Sequence, residues 1–415
     1  MSSKIRVIFV DDEPKALGAI RRMLRFKMSD WDLAFAESGA DALALFAEKP
    51  FDVIVSDIRM PEMDGAELLR RVKEDYHKTI RIALSGQVGL SEVVRSIRSV
   101  HQYISKPCDA GDLIAKIEGA LKSREILSDS TMQELVAEIE TLPVLPHVFK
   151  SIEEELARQE PSIKKIAELI SMDVGLVAKI LKLINSPYFG LPTQVDSIFQ
   201  AITMLGLDTI SSLIVGTHLF SMYDGKSMPD FSLTMLWEHS FRVSNIARII
   251  AEYEGLDKAT IVQARMAGLL HDVGKLILVS YFPEQYHEVL NIVSKERKSV
   301  HSAEFEVFGT THAQVGAYLM GLWGMAGEVV YGIGYHHSYD EYDMSISMLV
   351  SMANMIDHQC IIIHEDYNRF VLNNSVLRGQ GGKKIEEWTS HIAKNWDGIV
   401  QFNVLDKDMI NLLRE

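Results

Sequence analysis

From residue 4 to about 120, short runs of β-branched and aromatic residues alternate with stretches whose apolar positions recur every three or four residues. The runs IRVIFV, LAFAE, VIVSD, RIALS and QYIS read as strands, and the segments between them as helices. This alternation predicts a parallel five-stranded α/β sheet. Open sheets of that kind carry their chemistry beyond the carboxyl ends of the strands, where Asp11, Asp12, Asp57, Ser85 and Lys106 fall.

After Lys106 and Pro107, the segment DAGDLIAKIEGALKSREILSDSTMQELVAEIETL keeps a helical period throughout. It predicts a last helix of the first domain that runs on into a signalling linker. From Leu142 onward the β-type alternation disappears and cap and stop signals of helices take over, so the second half is expected to be all-α. Ser162 after Pro161 marks a helix start, the run IKKIAELISMDVGLVAKILKLINS contains two helices broken near Asp173, and Pro187 with Gly190 ends them. Further helices are expected at about 196–222, 232–254, 258–279, 310–322 and 344–359. The division that follows is a domain at 1–122, a helical linker at 123–140, an all-α domain at 141–365 and a helical extension at 366–415, which includes RGQGGKK, read as a glycine-rich loop.

Length agrees with more than one domain, since 415 residues exceed what a single core usually serves. With 47% hydrophobic and 24% charged residues the composition is globular. No stretch approaches the roughly 18 apolar residues of a membrane span, and the start MSSKIRVIFVDD runs straight into charge. Cys108 and Cys360 are the only cysteines, which suits a reducing compartment. A cytoplasmic location without membrane contact is expected. A formal net charge of -15 without clusters of Lys and Arg disfavours DNA as a partner.

Three carboxylates, from Asp11, Asp12 and Asp57, converging at one sheet edge are costly without a cation. Their oxygens suit Mg²⁺, which would offset the charge of a phosphoryl group while Asp57 acts as nucleophile. Lys106 would add a fixed positive charge and Ser85 a hydroxyl donor. The motifs VDD at 10–12, SDIRMPEMDG at 56–65, LSG at 84–86 and YISKP at 103–107 together resemble the receiver domain of two-component systems, over about 120 residues. The resemblance implies a flavodoxin-like doubly wound fold and phosphorylation of Asp57 by a sensor histidine kinase. It also implies Mg²⁺ on Asp11, Asp12, Asp57 and the Arg59 carbonyl, phosphoryl contacts from Ser85 and Lys106, an aromatic switch at Tyr103, and a homodimer as one route of signalling.

In the second half, LPVLPHVFKSIEEELARQE, the acid at Asp173, NSPYFG and AITMLG resemble the HDOD domain over about 130–340. That family is related in fold to HD-superfamily metal phosphohydrolases. The chain holds His239, the dyad His271-Asp272 in GLLHDVGKL, His312, the pair His336-His337, and Asp357. Imidazoles with carboxylates suit Fe, Mn or Zn, and the order is similar to that of HD-GYP phosphodiesterases, which hydrolyse cyclic di-GMP. By that likeness these seven residues are metal ligands and Lys275 faces a substrate phosphate. Two features depart from the likeness: SYDEYD follows His337 where a GYP-containing loop is expected, and Met235 lies one turn before His239 where some relatives offer a Glu. His218, His287, His301, His358 and His364 lack matching context and read as structural. Two classes of output stay open: a metal-dependent phosphohydrolase acting on a nucleotide or cyclic dinucleotide, and a non-catalytic signalling and protein-interaction module controlled by receiver phosphorylation.

Overall fold

The computed structural model describes residues 4–85, 99–137, 161–185, 194–207, 233–296, 298–338, 344–360 and 380–395, with shorter pieces at 139, 143–144, 151–152, 154–155, 158, 210 and 221–222. The five expected strands form: β1 (Ile5–Val10), β2 (Trp31–Ala36), β3 (Val53–Asp57), β4 (Ile80–Ser85) and β5 (Gln102–Ser105). All pair in parallel in the order β2-β1-β3-β4-β5, the doubly wound arrangement that a strand-helix alternation dictates. The sheet is buried on both faces, so β1 and β3 are continuous apolar runs; Val7, Ile8, Phe9, Val53, Ile54 and Val55 are all buried. Helices Pro14–Met23, Gly39–Glu48, Gly65–Asp75 and Ala110–Ile126 cover it through Leu17, Phe46, Leu68, Leu69, Leu113 and Ile117.

The segment after β5 is two helices rather than one. Ala110–Ile126 stops before Leu127, and Ser130–Ala137 restarts with the Asp129 side chain accepting from the Met132 amide at 2.7 Å. An acid that caps a new helix outcompetes the helical period that runs across it.

Beyond it the regular elements among the described residues are helices, with one addition: Pro143–Val144 and Ser221–Met222 make a two-residue parallel pair. Ser162 caps helix Ile163–Ser171 as expected, accepting from the Lys165 amide, and Asp173 separates it from Val174–Ile184 by accepting from the Leu176 amide at 2.9 Å. The helix expected over 258–279 is interrupted: Lys258–Leu270 ends at His271, and Asp272 precedes Val273–Tyr281. Helices Pro283–Glu296, Val300–Phe308 and Gly327–Gly334 add to those read from periodicity, alongside Leu233–Tyr253, His312–Leu322 and Ile346–Cys360. The NSPYFG turn beyond Asn185, most of SYDEYD, His218 and His364 lie outside the described residues.

Two compact units result. One comprises residues 1–142, 178–219 and 318–325, the other 143–177, 220–317 and 326–415. In the first, the Gln102 side chain of β5 donates to the Gly321 carbonyl at 3.0 Å, and the Lys182 ammonium lies 4.6 Å from the Trp323 ring centre. Beneath β4, the buried Arg81 donates to the carbonyls of Ser99, Thr79 and Ala137, tying the sheet to the end of helix Ser130–Ala137. In the second unit, Trp388 and Lys384 of helix Gln380–Lys394 both donate to Glu254, so the extension is docked by a buried indole as well as an ion pair. Among the described residues no helix is long and apolar enough to cross a membrane.

Replacing Arg81 takes a donor from three buried carbonyls, of which Ala137 keeps His101 Nε2 at 3.2 Å. Arg81→Met is expected to lower the unfolding free energy by about 3 kcal/mol, measured as a reduced urea midpoint with Trp31 fluorescence as the probe.

Candidate functional site

Among the described residues three groups of metal-ligating side chains bring their donor atoms within 4.8 Å of one another: Asp11, Asp12 and Asp57; His239, His271 and Asp272; and His312, His336 and His337.

The first group sits where β1 and β3 end. Lys106 reaches into it from beyond β5, with its ammonium 2.6 Å from Asp11 Oδ2 and 2.5 Å from Asp57 Oδ2. Burial works against that charge, yet the two carboxylates outweigh it and hold the lysine above its ordinary value. The Asp57 backbone is pressed from outside by helix Gly65–Asp75: a β-carbon on Gly65 would stand 1.8 Å from the Asp57 carbonyl oxygen. The glycine of the MDG motif therefore sets how closely that helix approaches Asp57. Tyr103 is buried, and Ser85 ends β4 in register with Ser105.

The other two groups meet at Asp272, which is 1% exposed. Its Oδ2 lies 3.5 Å from His271 Nε2 and 3.7 Å from His239 Nε2; its Oδ1 lies 3.2 Å from His312 Nε2 and 4.0 Å from His336 Nε2. The interruption of the helix at His271–Asp272 turns this carboxylate inward. A glycine again permits the approach, because a β-carbon on Gly274 would stand 1.9 Å from the His312 carbonyl oxygen.

What lies behind the imidazoles fixes their protons. His271 Nδ1 donates to the Gly268 carbonyl and His336 Nδ1 to the Ile333 carbonyl, at 2.8 and 2.7 Å. His239 Nδ1 faces Asp357 Oδ2 at 2.7 Å and His312 Nδ1 faces Glu304 Oε2 at 2.5 Å. Carbonyls and carboxylates only accept, so the Nδ1 proton of each ring is held and its Nε2 is turned toward Asp272; on His271 and His336, which burial keeps neutral, that Nε2 is a bare lone pair. The Nε2 atoms of His239 and His271 stand 3.2 Å apart, and those of His312 and His337 3.1 Å apart. Opposed lone pairs at that distance repel unless a cation or a proton lies between them. Asp272 Oδ1 and His336 Nε2 are, moreover, buried without a hydrogen-bond partner. The donor set fits transition-metal ions.

Burial pushes His271 down to about 3 against the pull of Asp272, and pushes His336 and His337 well below the ordinary range, helped by their histidine neighbours. His312 is the exception: burial would lower it, but Glu304 and Asp272 outweigh that and raise it.

Six of the seven expected ligands thus share the site. Asp357 takes another place: it is behind His239, and both its oxygens accept from Arg242, at 2.7 and 3.1 Å. Lys275 holds its ammonium 2.6 Å from Asp272 Oδ2. Sequence reasoning missed Glu304, and it left His301 and His358 aside, although their rings stand 4.9 Å from His337 and 4.7 Å from His239. A carboxylate eight residues before His312 was the signal available for Glu304.

The family profile described as "Response regulator receiver domain" matches residues 7–118, and that described as "HDOD domain" matches 142–339. An uncharacterized protein of Treponema pallidum is 30% identical over 223 residues, 52% of this chain and 42% of that protein. The transcriptional regulatory protein TrcR of Mycobacterium tuberculosis is 35% identical over 121 residues, 29% of this chain and 46% of that one. The chain thus spans less than half the length of these relatives. A crystal structure of the MmoQ response regulator from Methylococcus capsulatus superposes with a TM-score of 0.46 at 23% identity, over 53% of this chain and 87% of that one.

Two outcomes are expected from this geometry. His271, His336 and His337 are uncharged when folded, so below about pH 6.5 the unfolded chain takes up their protons first and stability falls as pH falls, toward about pH 3 for His271. His312 works in the opposite direction, adding stability at low pH that is lost as pH rises through its folded value. Three groups outweigh one: the urea midpoint of chelator-treated protein should drop between about pH 7 and about pH 5, and a flat or rising midpoint would contradict it. Gly274→Ala should cost about 2–3 kcal/mol, because the added methyl meets backbone rather than a side chain that could swing aside; chemical denaturation measures this.

Proposed function

We propose, from the premise that this chain consists of a response regulator receiver domain followed by an HDOD domain, that it is a phosphorylation-controlled regulator whose output half is a metal-dependent phosphohydrolase. In the receiver, a sensor histidine kinase would supply the phosphoryl group and Asp57 would accept it. Lys106 is already poised over Asp57 and Asp11 to meet the added charge, with Asp11 and Asp12 to hold Mg²⁺ and Ser85 and Tyr103 to respond.

One observation carries the reading of the output half: two sets of imidazole Nε2 atoms, each ring with its Nδ1 occupied, facing opposite oxygens of one buried carboxylate. His239, His271 and Asp272 would hold one ion of Fe, Mn or Zn, and His312, His336, His337 and Asp272 a second. Two such ions supply an activated water and offset charge on a phosphoryl oxygen. Lys275, partly exposed beside Asp272, is the residue to meet the phosphate of a nucleotide or cyclic dinucleotide. Of the residues that would hold the ions, His239, His271, Asp272, His312 and His336 are buried, which limits the access of bulk water to the reacting centre.

A second reading, a non-catalytic signalling module, is favoured by the Asp357–Arg242 pair, since an aspartate with both oxygens on a guanidinium is not free for a cation.

Elemental analysis of protein purified without chelator separates the two, alongside His271→Ala combined with Asp272→Ala. About two equivalents of Fe, Mn or Zn in the wild type, lost in the double variant, with phosphodiester hydrolysis that vanishes with them, is the expected result. Wild-type protein that neither contains nor takes up metal would overturn the hydrolase.

A further inference from the structure

We infer that Glu304 is a positioning residue for the second cation group, the charged brace that aims His312; the inference rests on reading this site as a metal centre. Glu304 lies in helix Val300–Phe308, and its side chain is fully buried. Oε2 accepts from His312 twice, from the backbone amide at 2.9 Å and from Nδ1 at 2.5 Å. Oε1 accepts from the Tyr286 hydroxyl at 3.3 Å. A carboxylate removed from water needs compensation, and here most of it comes from one histidine.

The two halves of the centre repeat one design. Each has one histidine braced by a backbone carbonyl three residues back, His271 by Gly268 and His336 by Ile333, and one braced by a carboxylate, His239 by Asp357 and His312 by Glu304. A carboxylate behind a metal-binding imidazole fixes the tautomer and makes the distal nitrogen a stronger donor. The braces differ in charge. Asp357 shares its charge with Arg242, whereas the hydrogen-bond partners of Glu304 among the described residues are His312 and Tyr286. Glu304 therefore delivers more of its charge to its histidine, and the second group leans on it more heavily than the first leans on Asp357.

Glu304 also caps helix His312–Leu322 through the His312 amide, and a purely structural role would end there. Glu304→Gln keeps the shape and one accepting oxygen and removes the charge. Tyr286→Phe removes the other partner and leaves both contacts to His312. Full-length protein, stripped with chelator, is titrated with Zn²⁺ by calorimetry, and the unfolding midpoint of the stripped form is recorded in parallel. Wild type is expected to take two equivalents. In Glu304→Gln one equivalent should bind as before and the other about 10–100-fold more weakly, with the metal-free midpoint little changed and Tyr286→Phe close to wild type. Two equivalents of wild-type affinity in Glu304→Gln overturn the inference. So does equal weakening of both together with a lowered metal-free midpoint, which marks a fold role. Wild-type protein that takes no Zn²⁺ removes the metal centre itself, an outcome visible before any variant is compared.

Discussion

Asp272 is a carboxylate with almost no access to solvent, facing imidazole nitrogens on both sides. Transfer of such a group from water costs several kcal/mol unless positive charge is placed beside it. The protein provides one ammonium, Lys275, on Oδ2, and leaves Oδ1 without a hydrogen bond. Much of the helical half follows from holding this group in place. Three of its ligand-type neighbours stand at helix ends, where backbone direction changes and side chains can turn inward: His271 closes Lys258–Leu270, His312 opens His312–Leu322, and His336 follows Gly327–Gly334, whereas His239 projects from within Leu233–Tyr253. Gly274 and Gly268 remove the side chains that would keep the backbones of His312 and Ser244 away.

The receiver solves a related problem by a different route. Three carboxylates gather at the ends of β1 and β3, and Lys106 reaches in from beyond β5, two strands from β3, to neutralise two of them. The ammonium is held, not free, so an added phosphoryl group would compete with Asp11 for it. Gln102, immediately before the buried Tyr103, donates to the Gly321 carbonyl.

The sheet was legible because its strands announce themselves: IRVIFV and VIVSD are buried on both faces and cannot be read otherwise. That Asp11, Asp12, Asp57 and Lys106 would gather at one sheet edge was legible because they stand at strand ends, where such a sheet brings side chains together. What periodicity could not show was where a helix is broken by its own chemistry. His271–Asp272 sits inside an apolar run whose helical period continues across it, yet the chain stops and restarts there; Asp129 does the same between two other helices. Arg81 was read as one residue of a strand, and its role under the sheet depends on carbonyls at Ser99 and Ala137 that only the fold brings near. Asp357 was expected as a ligand from its place in the order of histidines. Its position behind His239 is set by Arg242, one turn along the same helix as His239, a neighbour that ligand order does not record.

The exposure of the proposed ligand set gives the site a direction. His271, Asp272, His312 and His336 are each 1% exposed or less, and His239 is 8% exposed. His337 and Lys275 are the two site residues that retain intermediate exposure. The first cation group is closed from behind by Asp357 and Arg242, both buried. A phosphodiester in the proposed reaction would therefore approach over His337 and Lys275, on the side of the second group. That is also where His301 lies, its ring 4.9 Å from His337 and its pKa lowered, chiefly by burial and then by His312. An uncharged imidazole at the mouth offers a phosphate a hydrogen bond without adding to the charge that Lys275 already brings.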